Sequence, residues 1–586
     1  MKNIKKIIRI SLVTGIQTIT KTTYMKKTKK MFQTIFLSLS LLFAAKGASA
    51  QAISSHFFGE NAWMPYAIGN TILGGKLDQH WGDIKNSNAS MIRYGGIAVD
   101  ENMPTNAQYI AIIDSIRANG MEPIMQVPFN NYTFTAQQAA NIVTYINVTM
   151  GRNIKYWIIG NEPELGYSFT TSSQVAGYIK PFASAMKNVD PSIKIIGPES
   201  AWLAQNVING LTTANGPDDI TGKDAAGRYY LDVISFHTYP FNGTQTRAQV
   251  LTKLTSPGSL QDNLTYLNGR VSACNTAHNR TGAAALKIAI TEMNICYKNA
   301  STDNLQGVGA NSFIGGQFVA EMMGISMKNG VDFINLWSVI EGNSTELNIG
   351  YLDRTTGNKK PLYYHFKMMA ENFKGNSVNA TTNQSTVKSF GSKDAQQISV
   401  LILNEDLTNN YNFTVSLNTT AIAGSAALKI NINAGLQGEY NGVISNQSST
   451  LLKFDVNGNI LEKTEYKLNG NADANLPPTV TVLATTTGIA SNTIPERGLF
   501  EITNLFPNPS PGKFTVQLNK ENTGIKDFEI TIYNLIGQEV YNKKAVFLNG
   551  KEEIELDPSM ANGEYIVRIK ESEKDNYLVK KIILQK

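Results

Sequence analysis

Cysteine is nearly absent: Cys274 and Cys296 are the only two in 586 residues. Two thiols make no disulfide framework, so an apolar core must carry the fold. Whether the two pair after export is open on sequence alone. Charge is scarce too. Charged residues are 17% of the chain, and the net +6 comes from lysines crowded into the first 30 residues and the last dozen. That placement excludes a basic nucleic-acid or membrane-binding face on the folded part. No apolar run beyond the N-terminal region reaches about 18 residues, so no membrane span is expected. HExxH, paired CxxC, an Asp-rich calcium loop and GxGxxG are all missing. We therefore expect no metal and no organic cofactor.

What is present begins with a targeting segment. Lys26, Lys27, Lys29 and Lys30 precede an apolar run at 32–45, and Ala48-Ser49-Ala50 offers a small-residue cleavage site. Residues 1–50 read as a signal peptide, with Met25 or Met31 as alternative starts and Gln51 first after cleavage. The remaining chain is too long for one core and should hold several domains.

From 51 to 375, short apolar runs alternate with helix-like stretches. Strands are expected at 56–63, 90–94, 122–127, 156–160, 194–197, 232–237, 287–291 and 332–337. Amphipathic segments such as 108–119, 136–150, 172–188 and 317–329 lie between them. Eight such units predict an α/β fold, a (β/α)8 barrel. Residues 376–485 turn to Thr, Asn, Val and Ser in alternating patterns and read as a β-sandwich. A Pro/Thr-rich stretch at 476–493 reads as its last strand running into a linker at 486–499. Residues 500–586 are all-β again.

Two stretches concentrate the chemistry. KYWIIGNEPE at 155–164 and KIAITEMNI at 287–295 are apolar, β-branched runs that end in Glu162 and Glu292. An acid at the end of a buried parallel strand sits at the carboxyl edge of the sheet, where α/β folds place their chemistry. Two acids over one pocket are the equipment for splitting a glycosidic bond.

Here two resemblances enter. LFPNP at 505–509, GKF at 512–514, ITIYNLIGQEV at 530–540, GEYIVRI at 563–569 and VKKIIL at 579–584 resemble the C-terminal sorting domain of the type IX secretion system of Bacteroidetes. That likeness implies a secreted or cell-surface protein handled by the secretion machinery. In the barrel, Asn161-Glu162-Pro163 ending the fourth strand and Thr291-Glu292 ending the seventh resemble the motifs of clan A retaining glycoside hydrolases. By that resemblance Glu162 is the acid/base and Glu292 the nucleophile. Arg93, in MIRYGG, would hold the nucleophile, and Asn161 would donate to a sugar 2-hydroxyl. His237 and Tyr239, in SFHTYP, would orient a carboxylate or touch the sugar. Trp337 would stack on the sugar, with Trp63 and Trp202 as platforms for neighbouring units. Glu164, Glu199 and Glu341 also lie near strand ends but match no motif.

The expectation is a monomeric, secreted, retaining β-glycoside hydrolase with an endo-acting cleft for a plant or algal polysaccharide of glucan or xylan type. An exo-acting β-xylosidase or arabinofuranosidase is the alternative enzyme. A non-catalytic surface glycan-binding protein is the alternative from another class, disfavoured because both glutamates and Arg93 are kept.

Overall fold

The computed structural model describes residues 51–62, 77–129, 133–341, 347–418, 422, 424–483, 502–518, 527–534, 538–547, 550–571 and 577–586. The signal segment, Trp63 and the linker at 486–499 lie outside the described residues. Contacts divide the chain into a larger unit (residues up to 451, with 456–458 and 466–478) and a smaller one (452–455, 459–465 and 479–586).

Eight parallel strands close into a barrel in chain order: Phe58–Ala62, Met91–Tyr94, Glu122–Val127, Tyr156–Ile159, Lys194–Ser200, Val233–Thr238, Lys287–Met293 and Phe333–Leu336. The first strand pairs with the eighth, Phe58 opposite Ile334, which completes the ring. The strands are the expected eight, but the fifth and seventh outrun their apolar sequences. Pairing resumes past irregularities at Gly197/Ser200 and Ile290/Met293, so Glu199 and Glu292 stand within strands rather than after them. A polar side chain does not end a strand whose backbone still finds partners.

Four of the intervening helices start alike. Thr105/Gln108, Thr135/Gln138, Thr171/Gln174 and Thr246/Gln249 each form a reciprocal capping box, which satisfies two orphan backbone donors per helix.

The barrel interior is layered by strand periodicity. Met91, Ile124, Ile158, Ile196, Val233, Ala289 and Phe333 belong to one buried cluster, separate from the larger core. Two residues on, and so on the same face, stand Arg93, Gln126, Ser235, Thr291 and Asn335, all fully buried. A polar layer thus lies on an apolar one, towards the carboxyl ends of the strands.

After the closing helix Pro361–Asn372 come two sheets. One runs in the order Gln51–Ala52, Asn376–Val378, Val387–Lys393, Gln397–Asn404 and on to Ser448–Asp455; the other has the order Ala380–Thr382, Leu428–Ile432, Tyr411–Ser416, Glu439–Ile444. The former sheet begins with the two residues at the barrel's N-terminal lead-in, Gln51 opposite Ser377 and Ala52 opposite Asn376. The barrel helix Phe313–Lys328 is buried at every position but its last. A helix buried all round needs cover on all sides, and Phe390, Leu401, Leu403 and Leu451 join the barrel's core cluster from the first sheet. At Gly324 the fit is close enough that a Cβ would lie 2.2 Å from the Phe390 ring.

In the smaller unit, Ile502–Phe506, Lys513–Leu518 and Lys551–Glu555 form one antiparallel sheet. Glu539–Val546, Asp527–Asn534, Gly563–Glu571 and Tyr577–Leu584 form another. Inward residues such as Phe514, Val516, Ile530, Val567 and Ile582 make its core.

Candidate active site

The chain places Glu162 and Glu292 together. Glu162 follows the fourth strand, in a left-handed turn with φ 44° and ψ 62°, a region that residues with a side chain seldom occupy. Its amide donates to the Glu199 carbonyl at 3.0 Å, which ties the ends of the fourth and fifth strands. One oxygen of Glu162, one of Glu292 and a ring nitrogen of His237 all lie within 4.8 Å of one another.

Arg93 is the hub. Its Nη1 donates to Glu292 Oε1 at 2.9 Å and Asn61 Oδ1 at 2.8 Å. Its Nη2 donates to Glu199 Oε2 and Asn161 Oδ1, both at 2.8 Å. A guanidinium is the one cation whose fork can serve two carboxylates at once. Tyr239 completes the hold on Glu292, its hydroxyl donating to Oε2 at 2.7 Å.

His237 is fully buried between carboxylates, with Nδ1 2.9 Å from Glu162 Oε1 and 3.5 Å from Glu292 Oε2, and Nε2 3.4 Å from Glu199 Oε2. A neutral imidazole would aim a lone pair at one of these oxygens, whereas an imidazolium donates to both sides. Its pKa accordingly goes up to about 10. Burial, the largest influence, opposes the rise, and the charge of Glu292 and the bonds to Glu162 and Glu199 overcome it. Glu199 goes the other way, to about 2: burial alone would raise it, but Arg93 and His237, with Ser235, hold it ionised. Burial raises Glu292 above the usual carboxylate range, and the charges of His237 and Arg93 and the Tyr239 bond pull it back.

Arg93 and His237 thus set two positive charges against Glu199 and Glu292. Among the described residues, only Glu162, His237 and Glu292 gather donor atoms as a metal site would. With two cations already facing these carboxylates and the imidazole protonated, the set does not suit a metal ion.

Residues 504–585 match the family of secretion system C-terminal sorting domains. The protein is a secreted or cell-surface one. No helix among the described residues is long and apolar enough to cross a membrane. No curated protein sequence matches the chain. Solved structures with a similar course of chain include a bifunctional glucanase-xylanase from a metagenome library (17% identity, 69% of this chain and 96% of that one, TM-score 0.47). They also include a family 44 xyloglucanase of Paenibacillus polymyxa (14% identity, 70% and 97%, TM-score 0.47). A bacterial orthologue of human α-L-iduronidase covers more of this chain (11% identity, 91% and 98%, TM-score 0.48). At such identities and scores, the chemistry must rest on the residues themselves.

Of the expected sugar platforms, Trp337 is 8% exposed and its Nε1 donates to Glu341 Oε1 at 2.9 Å. Its ring lies over Gly96, where φ is 95° and a Cβ would come within 3.2 Å of it, so the backbone there suits only glycine. Trp202 is half exposed, in the loop where the Ala201 amide donates to Glu164 at 3.1 Å. Trp63 lies outside the described residues.

The structure also adds residues that sequence reasoning passed over. Glu199, seen only as a rival acid, is buried with Arg93, Ser235 Oγ at 2.5 Å and Thr291 Oγ1 at 2.8 Å. It faces no opening, so it serves as a counter-charge. Asp100 accepts from Gln126 Nε2 at 2.7 Å, the Tyr167 hydroxyl at 2.6 Å and the Asn161 amide at 3.0 Å, and burial lifts its pKa to about 6. It thereby anchors the residue preceding Glu162. The signal for Gln126 was a lone polar residue inside the apolar run EPIMQV; nothing comparable marked Asp100. Cys274 and Cys296 are both buried free thiols and do not pair.

Proposed function

We propose that the protein is a secreted retaining glycoside hydrolase of clan A type, with Glu292 as nucleophile and Glu162 as acid/base. The observation that carries the reading is the asymmetric pair: two carboxyls within 4.8 Å, Glu292 clamped by Arg93 and Tyr239, and Glu162 bonded at its side chain to His237. Glu162 keeps 20% of its side chain exposed against 7% for Glu292, which leaves the acid in reach of an entering substrate. Retaining enzymes hold their carboxyls roughly 5–5.5 Å apart, and inverting ones leave room for a water between them.

In the first step Glu292 attacks the anomeric carbon. The bond to the leaving oxygen breaks, its electron pair goes to that oxygen, and the acid proton of Glu162 follows it. A glycosyl ester of Glu292 results. In the second step Glu162 takes a proton from water, which attacks the same carbon and releases Glu292. Arg93 and Tyr239 steady the departing carboxylate, the preorganised electrostatics such steps need. Asn161, its carbonyl oxygen held by Arg93, keeps its amide nitrogen for the 2-hydroxyl of the sugar. Trp337 supplies an apolar face.

The exposed Trp202, a platform beyond the cleavage point, supports an endo-acting cleft for a β-linked plant or algal polysaccharide of glucan or xylan type. The test is chemical. Glu292→Gln should abolish turnover. Glu162→Ala should spare activated aryl glycosides most, and azide should rescue it to give a glycosyl azide of retained configuration. An inverted azide from Glu292→Ala would be the normal behaviour of a missing nucleophile, while the same product from Glu162→Ala would exchange the two roles. Wild-type rates in both variants would end the proposal.

A further inference from the structure

A cavity lies at the end of the barrel opposite the carboxylates, in the loop leading to the sixth strand at Val233. Its volume is about 400 Å³, and Lys180, Asp219, Lys223, Tyr229, Tyr230 and His278 are among its walls. That falls in the range of roughly 300–1,000 Å³ usual for ligand sites.

The local charge is uneven. Asp219 is taken by His278 Nε2 at 2.7 Å, the Thr221 hydroxyl at 2.6 Å and two backbone amides. Asp224 pairs with Arg228, and Asp232 with Lys187 and Lys194. Asp218 accepts from Ser172. Three cations remain without a carboxylate partner among the described residues. Lys180 donates to the Pro217 carbonyl and lies 5.7 Å from the Tyr230 ring centre. Lys223, exposed, lies 4.8 Å from that of Tyr229. Arg280 spends its donors on the carbonyls of Thr221, Leu231 and Ala284 and stacks on Tyr229 at 4.0 Å. Aromatic faces beside ammonium groups that have no carboxylate partner among the described residues fit a ring with apolar C–H faces and a negative substituent.

We infer that this cavity is a non-catalytic binding site for an acidic glycan, one whose sugar rings carry carboxylate or sulfate groups. Tyr230 takes the face of the ring, and Lys180 and Lys223 take its anion. The site acts in binding and not in turnover, so it stands or falls apart from the glycosidase reading.

The experiment uses the full chain carrying Glu162→Gln and Glu292→Gln to keep polymers intact. Binding is measured by affinity electrophoresis and calorimetry on polygalacturonate, a sulfated galactan and a neutral glucan. One acidic polymer at least should bind, and the two acidic arms tell carboxylate from sulfate. Lys180→Ala with Lys223→Ala should weaken it by about tenfold or more at low salt, as the loss of hydrogen bonds to a charged group implies. Lys374→Ala, an exposed lysine elsewhere, should stay within about twofold, the small effect expected of a remote surface charge. In the otherwise wild-type chain, the two lysine changes should leave aryl glycoside hydrolysis untouched. The inference is overturned if neither acidic polymer binds, if binding survives the double lysine change, or if Lys374→Ala weakens it equally. Tight binding of the neutral glucan, lost in Tyr230→Ala, would overturn the anionic assignment.

Discussion

Replacing Arg93 by methionine keeps much of the side-chain volume and removes the cation at the centre of the cluster. Two buried carboxylates, Glu199 and Glu292, then lose a partner at 2.8 and 2.9 Å. Removing one member of a buried ion pair typically costs about 3–5 kcal/mol. At about 2 °C per kcal/mol for a large domain, the first thermal transition should fall by about 6–10 °C. The second consequence is electrostatic. Burial already raises the Glu292 pKa, and Arg93 is one of the charges restraining it. At an effective dielectric near 20, a unit charge about 4 Å away is worth about 4 kcal/mol. His237 offsets part of the loss, so the carboxylate should ionise roughly one to three pH units higher. The acid limb of kcat/KM on an aryl glycoside should move up by that amount. Arg93→Lys, with one point charge for four acceptors, should fall between. Calorimetry and a pH–rate profile read both effects. If Arg93→Met lowers the transition while the acid limb stays put, the arginine is a strut and the charge argument is wrong. If neither moves, the whole account of the cluster fails.

Three further outcomes are expected. Proton NMR of the first product should show the substrate's anomeric configuration retained; release of the opposite anomer would remove the double displacement but leave hydrolysis standing. His237, whose folded value of about 10 exceeds the ordinary 6.5, contributes stability present in full below pH about 6.5 and lost as pH climbs through about 10. The gap in melting temperature between wild type and His237→Gln should therefore shrink across that window, and a constant gap would mean the imidazole is not charged. A chain ending at Pro495 should keep turnover in vitro yet stay in the periplasm of a host with type IX secretion, whereas lost turnover would make the tail part of the enzyme.

The barrel was legible because eight parallel strands buried on both faces must be short apolar runs, and turns must fall between them. The two acids were legible because each breaks such a run at its end. Glu199 shows where reading along the chain stops. It too follows a short apolar run, but what separates it from Glu162 is its partners, and Arg93, Ser235 and Thr291 lie 106, 36 and 92 positions away. Only closure of the ring brings them into contact. Asp100 is invisible for the same reason, since its bonds to Gln126, Asn161 and Tyr167 cross two strands and a loop. Gln51 and Ala52 escape for another: two residues have no periodicity, and their pairing with Ser377 and Asn376 is decided by the far end of the barrel.

The helix Phe313–Lys328, covered on all sides, bears on how this protein can be inherited. A barrel released from its neighbour at residue 375 would uncover Gly324 and the surface that Phe390 fills, and leave Gln317 without the carbonyls of Asn404 and Ser448 that accept its amide. Recombination that cuts there would yield two sticky halves. Shuffling events that survive should instead carry the barrel together with the sheet containing Val387–Lys393 and Gln397–Asn404, as a single heritable block.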